Sequence, residues 1–465
     1  MVYRWILGCL LGAFISAVLI GEAMASSELV RNIQTHLYAG QTDKAASIAR
    51  VRLSEVPDDN QARFALGAVQ FLLAVEQLGQ ALHRYGLQST YVGNFDLIGL
   101  PVLRLPVPDN PNPDELAYDV FRNILKAFVS DLKTAEATLS EIDAPEIDLQ
   151  LNIGLIRLDL NGDGKGSEEE AFWRIFAAVA GAGGWLDEKA AEKLITDFDS
   201  SDVPWLQAYC HLLMGIAEFP LAHDWQEAFD ATFPSIFHMP KSLAYLKTEE
   251  ALAEARKRLS EIGGRPPYPS KPATMSRQEW HDSDEWKKYI RKQNIYQFDR
   301  DRKKYIAFAD LIAFIHLNHW PVIEPERMAD ALHHLEAMVR LSRENWKRIL
   351  AETDNNNEWI PNPNQTGVLP QMEVTQARVD GWQKVLDEFE AILNGTKLIP
   401  HWRFEEGINM RRMFLEPRTF DIVLLIQGSA ALPYLEKGEL TNDRTWDQIK
   451  TLMGGEFFRY FIWFN

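Results

Sequence analysis

Oxygen-bearing residues recur at short, regular spacing in one stretch, residues 159–170, which reads Asp-Leu-Asn-Gly-Asp-Gly-Lys-Gly-Ser-Glu-Glu-Glu. A hard cation such as calcium takes roughly six to eight oxygen ligands, and a short loop can supply them only if it turns sharply in its middle. Gly164 permits that turn. The spacing therefore predicts a calcium site, with Lys165 acting through its carbonyl group and Ser167 through a water molecule. The predicted ligands are Asp159, Asn161, Asp163, Lys165, Ser167 and Glu170.

This spacing resembles the calcium-binding loop of an EF-hand, in which the final glutamate binds through both carboxylate oxygens. Gly166 departs from the family pattern, because an aliphatic residue normally occupies that position and pairs with a second loop. The resemblance therefore implies an unpaired site, which argues against a calcium sensor. Residues 354–365 match less well, since Trp359 replaces the turning glycine and Gln365 the final glutamate. We expect a polar loop there, with a second metal site as the alternative.

The N-terminus is typical of a secretory signal peptide: Arg4 precedes an apolar run, and Ala23-Met24-Ala25 stands before Ser26. The run of about sixteen apolar residues is short for the roughly twenty that a membrane span needs. We expect cleavage after residue 25 and a secreted protein, periplasmic or extracellular, without an integral membrane span. Cys210 would then be the only remaining cysteine, so no internal disulfide could form.

Composition narrows the possible partners. The formal net charge of −18 argues against nucleic acids and against anionic membrane surfaces as partners. Hydrophobic residues make up 46% and aromatic residues 11% of the chain, which is enough for a core and excludes disorder as the reason for the acidity. With these partners excluded, we expect the partner to be an unidentified protein or small molecule.

The first part of the mature chain, residues 26–90, is predicted to form paired helices. Several residues match features of a 34-residue helical repeat. Gly40 fits the turn, Ala45 the small contact between helices, Leu53 the helix-B leucine, Pro57 the terminal proline, and Leu66-Gly67 the Leu-Gly pair of the following repeat. The stretch therefore resembles tetratricopeptide repeats, with an ordinary helical hairpin as the alternative. Such repeats bury their faces only by stacking, so this region must pack on later parts of the chain.

Residues 91–395 are predicted to form a helical body that contains the calcium loop, and residues 396–465 a C-terminal segment packed on it. The predicted fold class is mainly α, a helical-hairpin array on a larger helical body with few strands. Apolar residues recur every three to four positions in several stretches, which predicts helices at 168–183, 202–220, 246–261, 300–318, 324–352 and 372–394. The aromatic run 457–464 is too apolar for a free tail, so we expect it to dock.

The proline-rich stretch 99–113 cannot be helical throughout. Its apolar residues predict that it wraps over the core. The alternative is that Arg104 and Asp109 line a ligand groove.

Catalytic residues are harder to find. His316 and His319 share a helix face, which permits a zinc pair, although packing or capping is the favoured role. Positive charge is concentrated near the C-terminus, where it could hold a carboxylate or phosphate or could neutralise the protein's own carboxylates, the favoured role. The residues of this group are His401, Arg403, Asn409, Arg411, Arg412 and Arg418.

The sequence thus favours a secreted calcium-binding helical protein with a non-catalytic binding or envelope-organising role. The chain resembles uncharacterised secreted bacterial proteins that combine an EF-hand loop with helical repeats, and that resemblance implies no activity. The alternative is a hydrolase whose site lies between the helical body and the C-terminal segment. Convergence of His401, Arg403 and Asn409 with Asp421 or His319 in one cleft would favour the hydrolase.

Overall fold

A computed structural model describes residues 28–88, 101–142, 147–180, 187–237, 266–369, 372–454 and 457–464. The fold is mainly α-helical with few, short strands, as the sequence predicts. The predicted signal peptide, residues 1–25, and the predicted helix 246–261 lie outside the described residues.

The N-terminal half contains helices and a two-stranded antiparallel sheet in which β1 pairs with β2. These elements are α1 (28–38), α2 (Thr42–Glu55), α3 (Asn60–Arg84), α4 (Tyr118–Ser140), β1 (Leu149–Asn152), α5 (Phe172–Ala180), α6 (Glu188–Ala191), β2 (Ile195–Phe198), α7 (Asp202–Ala222) and α8 (Gln226–Thr232).

The C-terminal half is built around three longer helices and small strand pairs. Its elements are α9 (Arg277–Asp282), α10 (Asp284–His316), β3 (His319–Trp320), α11 (Glu326–Ile349), α12 (Gln376–Leu393), β4 (Lys397–Pro400), β5 (Gly407–Ile408), α13 (Met410–Leu415), β6 (Phe420–Asp421), α14 (Ile422–Gln427), β7 (Leu435–Glu436), β8 (Glu439–Leu440), α15 (Asp443–Leu452) and α16 (Phe457–Phe464). Strands β7, β5, β4 and β8 form one sheet in that order, with β4 and β8 parallel.

Helix α3 is the centre of the first apolar core. Asp59 begins it as the N-cap, because its carboxylate accepts the N–H of Ala62 at 2.9 Å. Its buried face packs on α2 and α4, and Gly67 allows close approach, since a Cβ there would lie 2.5 Å from Leu139 Cδ2. The helix runs unbroken for 25 residues. Leu66 and Gly67, which match the Leu-Gly pair of a following repeat, both lie within this one helix.

The length and hydropathy of α3 would also suit a bilayer span, and within the described ranges it alone has this property. In the structure 67% of its most apolar window is buried against the rest of the protein.

A second apolar core joins α7, α11, α12 and the C-terminal helix α16. The aromatic run predicted to dock forms α16, whose Tyr460, Trp463 and Phe464 are at most 1% exposed. The Phe464 ring meets that of Trp346 edge to face, with centroids 4.6 Å apart. Each large side chain buried in this way contributes about 1.5–3 kcal/mol of transfer free energy, so α16 is an integral part of this core.

The proline-rich stretch packs on the first core. Pro101–Arg104 forms a 3₁₀ turn, and Leu103, Leu105 and Val107 are buried, while Asp109 is exposed. The arrangement matches the wrapping role that the apolar residues predict.

Candidate functional site

The loop 159–170 connects a strand to a helix. The chain reaches it from β1 through a 3₁₀ turn, Ile153–Leu155, and leaves it into α5. Main-chain bonds close its base: the N–H of Leu158 donates to Glu170 O at 3.1 Å, and the N–H of Phe172 donates to Ile156 O at 2.8 Å. Of the two helices that flank an EF-hand loop, only the second is therefore present.

The first and last predicted ligands organise the loop from inside. Asp159 is 7% exposed and Glu170 is 0% exposed. The Asp159 carboxylate accepts the N–H groups of Gly162, Asp163 and Gly164 at 2.8–3.0 Å. The Glu170 carboxylate likewise accepts three loop N–H groups at 2.9–3.1 Å, from Leu160, Asn161 and Ser167. These bonds give the loop its tight fold because they satisfy main-chain donors that no secondary structure serves.

Asn161 and Asp163 lie at the rim of the loop. Each accepts an N–H two residues further on: Asn161 Oδ1 from Asp163 at 2.8 Å, and Asp163 Oδ1 from Lys165 at 2.9 Å. Such turns mimic a main-chain turn and hold the side-chain oxygens over the loop. Ser167 is exposed, and its N–H is bound to Glu170.

Three glycines shape the loop for different reasons. Gly162 and Gly164 have φ values of +75° and +84°, in the left-handed region that favours glycine. Gly166, the position that departs from the EF-hand pattern, lies against Gly40 in the turn between α1 and α2. A Cβ on Gly166 would lie 2.9 Å from Gly40 Cα and 2.6 Å from Arg157 Cβ. The position usually reserved for pairing with a second loop is thus used here to dock on the helical hairpin.

Further contacts bind the loop to α1, α2 and α3. Gln80 donates to Asp159 O at 2.8 Å. Glu76 accepts the N–H of Asp159 at 2.8 Å through the same oxygen that accepts the hydroxyl of Thr42. Burial raises the pKa of the Glu76 carboxyl to about 7. The N–H of Arg157 also donates to Leu37 O at 3.0 Å, so the loop and the N-terminal helices form one packed unit.

The donor set suits a calcium ion in chemical type, because every predicted ligand offers oxygen. Within the described ranges, no lysine or arginine nitrogen lies within 4 Å of the carboxylates of Asp159 or Glu170. Burying a carboxylate without a cation costs free energy. Each of these two carboxylates also keeps a lone pair that accepts no N–H group. Among all the described residues, no three His, Cys, Asp or Glu side chains converge as a group that could hold a metal ion. A calcium ion in this loop would therefore be bound by carboxylate, amide, main-chain carbonyl and water oxygens together.

The second candidate loop, residues 354–365, is held by the core. Trp359, which replaces the turning glycine, is 5% exposed and meets the ring of Trp205 at 5.6 Å. Asn362 is also buried and donates to Ile349 O at 3.1 Å. The loop is thus a packed connection between α11 and α12.

Sequence analysis missed an acidic cluster formed by Asp199, Asp202, Glu352 and Glu358. Burial, together with neighbouring Asp199 and Glu358, raises the pKa of Glu352 to about 7. Burial and the same neighbours also raise the pKa of Asp202 well above its usual range. These residues come from two distant segments, so no local spacing in the sequence indicated that they would meet.

His316 and His319, for which packing or capping is favoured over a zinc pair, lie in different surroundings. His316 is exposed, whereas His319 accompanies Asp421, with Nδ1 and Oδ2 2.9 Å apart, because β3 pairs with β6. A pair that the sequence did not indicate lies between α7 and α11, where Nδ1 of His211 and Nδ1 of His334 are 2.8 Å apart. Burial lowers the pKa of His334 to about 4, which favours its neutral form. Cys210 is also buried, and burial raises the pKa of its thiol.

The C-terminal positive group is occupied by the protein's own acceptors. Arg411 pairs with Glu336 at 2.5 Å, and Arg412 pairs with Glu416 and Glu436 at 2.8 and 3.2 Å.

The polar members of the same group also have local roles. His401 Nε2 lies 3.0 Å from Leu425 O, and Asn409 caps α13 by accepting the N–H of Arg412. Arg403 lies over the ring of Trp402. The hydrolase hypothesis requires His401, Arg403 and Asn409 to converge with Asp421 or His319. His319 and Asp421 contact each other, whereas the contacts of His401, Arg403 and Asn409 described above are with other groups.

Comparison of the chain with protein-family models, with curated proteins and with solved structures gives no significant match.

Proposed function

We propose that the protein is a secreted, calcium-binding helical protein with a non-catalytic binding or envelope-organising role. The observation that carries the calcium assignment is the pair of buried carboxylates, Asp159 and Glu170, at the first and last positions of the loop. Among the described residues, neither has a lysine or arginine nitrogen within 4 Å. When bound, the ion would supply the positive charge that these two carboxylates lack. The proposed ligands are Asp159, Asn161, Asp163, Lys165, Ser167 and Glu170.

The proposed role of the ion is to fasten the N-terminal hairpin to the helical body. The contacts of the loop with Gly40, Glu76 and Gln80 support this role, because any ordering of the loop is transmitted directly to α2 and α3. Pairing of Arg411 and Arg412 with glutamates supports a non-catalytic role for these two arginines.

Titration calorimetry of chelator-treated protein with calcium tests the assignment. Single sites in extracellular modules bind at about 10⁻⁴–10⁻³ M, so we expect a Kd in that range and loss of binding in Glu170→Gln. Glu169→Gln is the matched control, since Glu169 is adjacent but exposed. Equal binding by wild type and Glu170→Gln would remove Glu170 from the site.

Hydrogen exchange tests the role of the ion. At ~1 mM calcium and a Kd of ~0.1 mM, binding stabilises the folded state by only about 1.4 kcal/mol, so the protein should fold without calcium. Calcium should slow amide exchange in 159–170 and α2 in wild type and in Glu169→Gln, but not in Glu170→Gln. Slowing confined to 159–170 would leave a calcium site without the fastening role, and complete unfolding in chelator would contradict the modest affinity.

A further inference from the structure

The interface between the two apolar cores contains a cavity of about 200 Å³. Its walls come from α3, α4, α5, β2 and α7, with Leu105 of the proline-rich stretch and Trp359 closing two sides. The cavity is independent of the calcium loop, since none of the six proposed ligands lines it. It is larger than an apolar cavity of about 150 Å³, a size that stays free of water and takes up benzene.

Aromatic rings make up much of the wall and hold one another in place. Trp205 contacts Tyr209 and Trp359, with ring centroids 4.9 and 5.6 Å apart. Phe71 meets Tyr209 edge to face at 6.5 Å, and Phe176 meets Trp359 in the same way at 6.0 Å. Such contacts fix ring orientations, so the walls resist collapse into the empty space.

Polar groups on the wall are few, and none is charged. The indole N–H of Trp205 is already bound to Trp463 O at 3.0 Å, and that of Trp359 is fully buried, with no partner among the described residues. Tyr209 lines the cavity, and burial raises the pKa of its hydroxyl, so that group is neutral. A charged ligand would lose its hydration here without gaining a counter-ion.

We propose that this cavity binds a small, neutral, mostly hydrocarbon molecule of about ten non-hydrogen atoms, held by the apolar and aromatic side chains of its wall. An aromatic ligand suits the wall best, because its edges and faces can pair with the surrounding rings.

Calorimetric titration of the full mature chain with three matched probes tests the proposal. The probes are 1-naphthol, naphthalene and naphthalene-1-sulfonate, which share one ring system and differ in their polar group. We expect 1-naphthol to bind with a Kd on the order of 10 μM. The sulfonate should bind at least about 100-fold more weakly, because its charge would be buried without a partner. Equal binding of 1-naphthol and the sulfonate would place both at the surface and overturn the proposal.

Two kinds of variant locate the binding. Tyr209→Phe should leave binding of naphthalene and of 1-naphthol close to that of wild type, because it keeps the ring that lines the cavity. Ala68→Phe fills the cavity from α3 and should abolish binding of both probes. Ala137→Phe, on the exposed side of α4, is the control and should bind like wild type.

Leu213→Phe fills the cavity from α7. This variant replaces Ala68→Phe in the binding test if Ala68→Phe does not unfold cooperatively. Binding of 1-naphthol that survives in a folded filling variant, or no binding by wild type, overturns the proposal.

Discussion

Carboxyl groups gather in two regions with different surroundings, the loop 159–170 and the acidic cluster of Asp199, Asp202, Glu352 and Glu358. In the loop, the carboxylates of Asp159 and Glu170 each accept three N–H groups. In the cluster, burial and neighbouring carboxylates raise the pKa of Asp202, Glu352 and Glu358, and Glu352 Oε1 is buried with no hydrogen-bond partner among the described residues.

The comparison shows that the surroundings decide whether a carboxyl group favours its charged or its protonated form. Donors converging on a carboxylate favour its charged form, which a cation can then use. Neighbouring carboxylates in a buried site favour the protonated form, which lowers stability at neutral pH. We therefore expect substitutions in the loop to destabilise the protein and neutralisation in the cluster to stabilise it.

The largest effect is expected from Glu170→Ala. The substitution leaves three loop N–H groups without their acceptor inside the protein, and each such loss costs about 1–3 kcal/mol. We expect the free energy of unfolding to fall by about 3 kcal/mol or more in calcium-free buffer, measured by urea denaturation. Glu169→Ala should change it by less than about 0.5 kcal/mol. A small effect of Glu170→Ala would show that the loop does not depend on its buried carboxylate.

Gly40→Ala should have the next largest effect, because it separates the loop from the hairpin. The residue has φ +66°, and the new Cβ would lie 2.2 Å from Gly166 N. Overpacking and left-handed strain together predict a loss of about 2–4 kcal/mol in unfolding free energy. Gly164→Ala shares the unfavourable φ but meets nothing within 4 Å, so it should cost only about 1 kcal/mol. Equal losses in the two variants would mean that docking on Gly40 contributes nothing.

Glu352→Gln probes the cluster and should act in the opposite direction. The folded-state pKa of Glu352 is raised from 4.5 to about 7, so the folded state holds a proton that the unfolded state releases in this range. Its contribution to stability therefore falls as pH rises from 4.5 to 7. Since Glu352 is only partly buried, we expect a gain of about 1 kcal/mol at pH 7.5 and none near pH 4.5.

Urea denaturation at the two pH values measures this gain. The control is Glu344→Gln, whose carboxylate pairs with Arg348 at 3.0 Å and has a lowered pKa. It should lose up to about 0.5 kcal/mol at pH 7.5. A loss in Glu352→Gln at pH 7.5 would contradict the like-charge account of the cluster.

Much of the fold could be predicted from local patterns in the sequence. Helical periodicity predicted helices that the structure places at α7, α11 and α12, because one buried face every three to four residues requires no knowledge of the partner. The same reasoning did not anticipate that α3 runs unbroken to Arg84 or that α10 begins as early as Asp284. Those limits depend on which helices pack beside them.

The sequence by itself determined the chemistry of the loop, because the turning glycine and all six proposed ligand positions lie within twelve consecutive residues. The loop's own N–H groups satisfy its carboxylates, so local spacing was sufficient. Only the tertiary structure decided where that loop docks, which carboxyl groups crowd around Glu352, and that an aromatic cavity opens beside Tyr209. Each of these features joins residues from distant segments, and their meeting depends on how the helices pack, which no local pattern of residue types records.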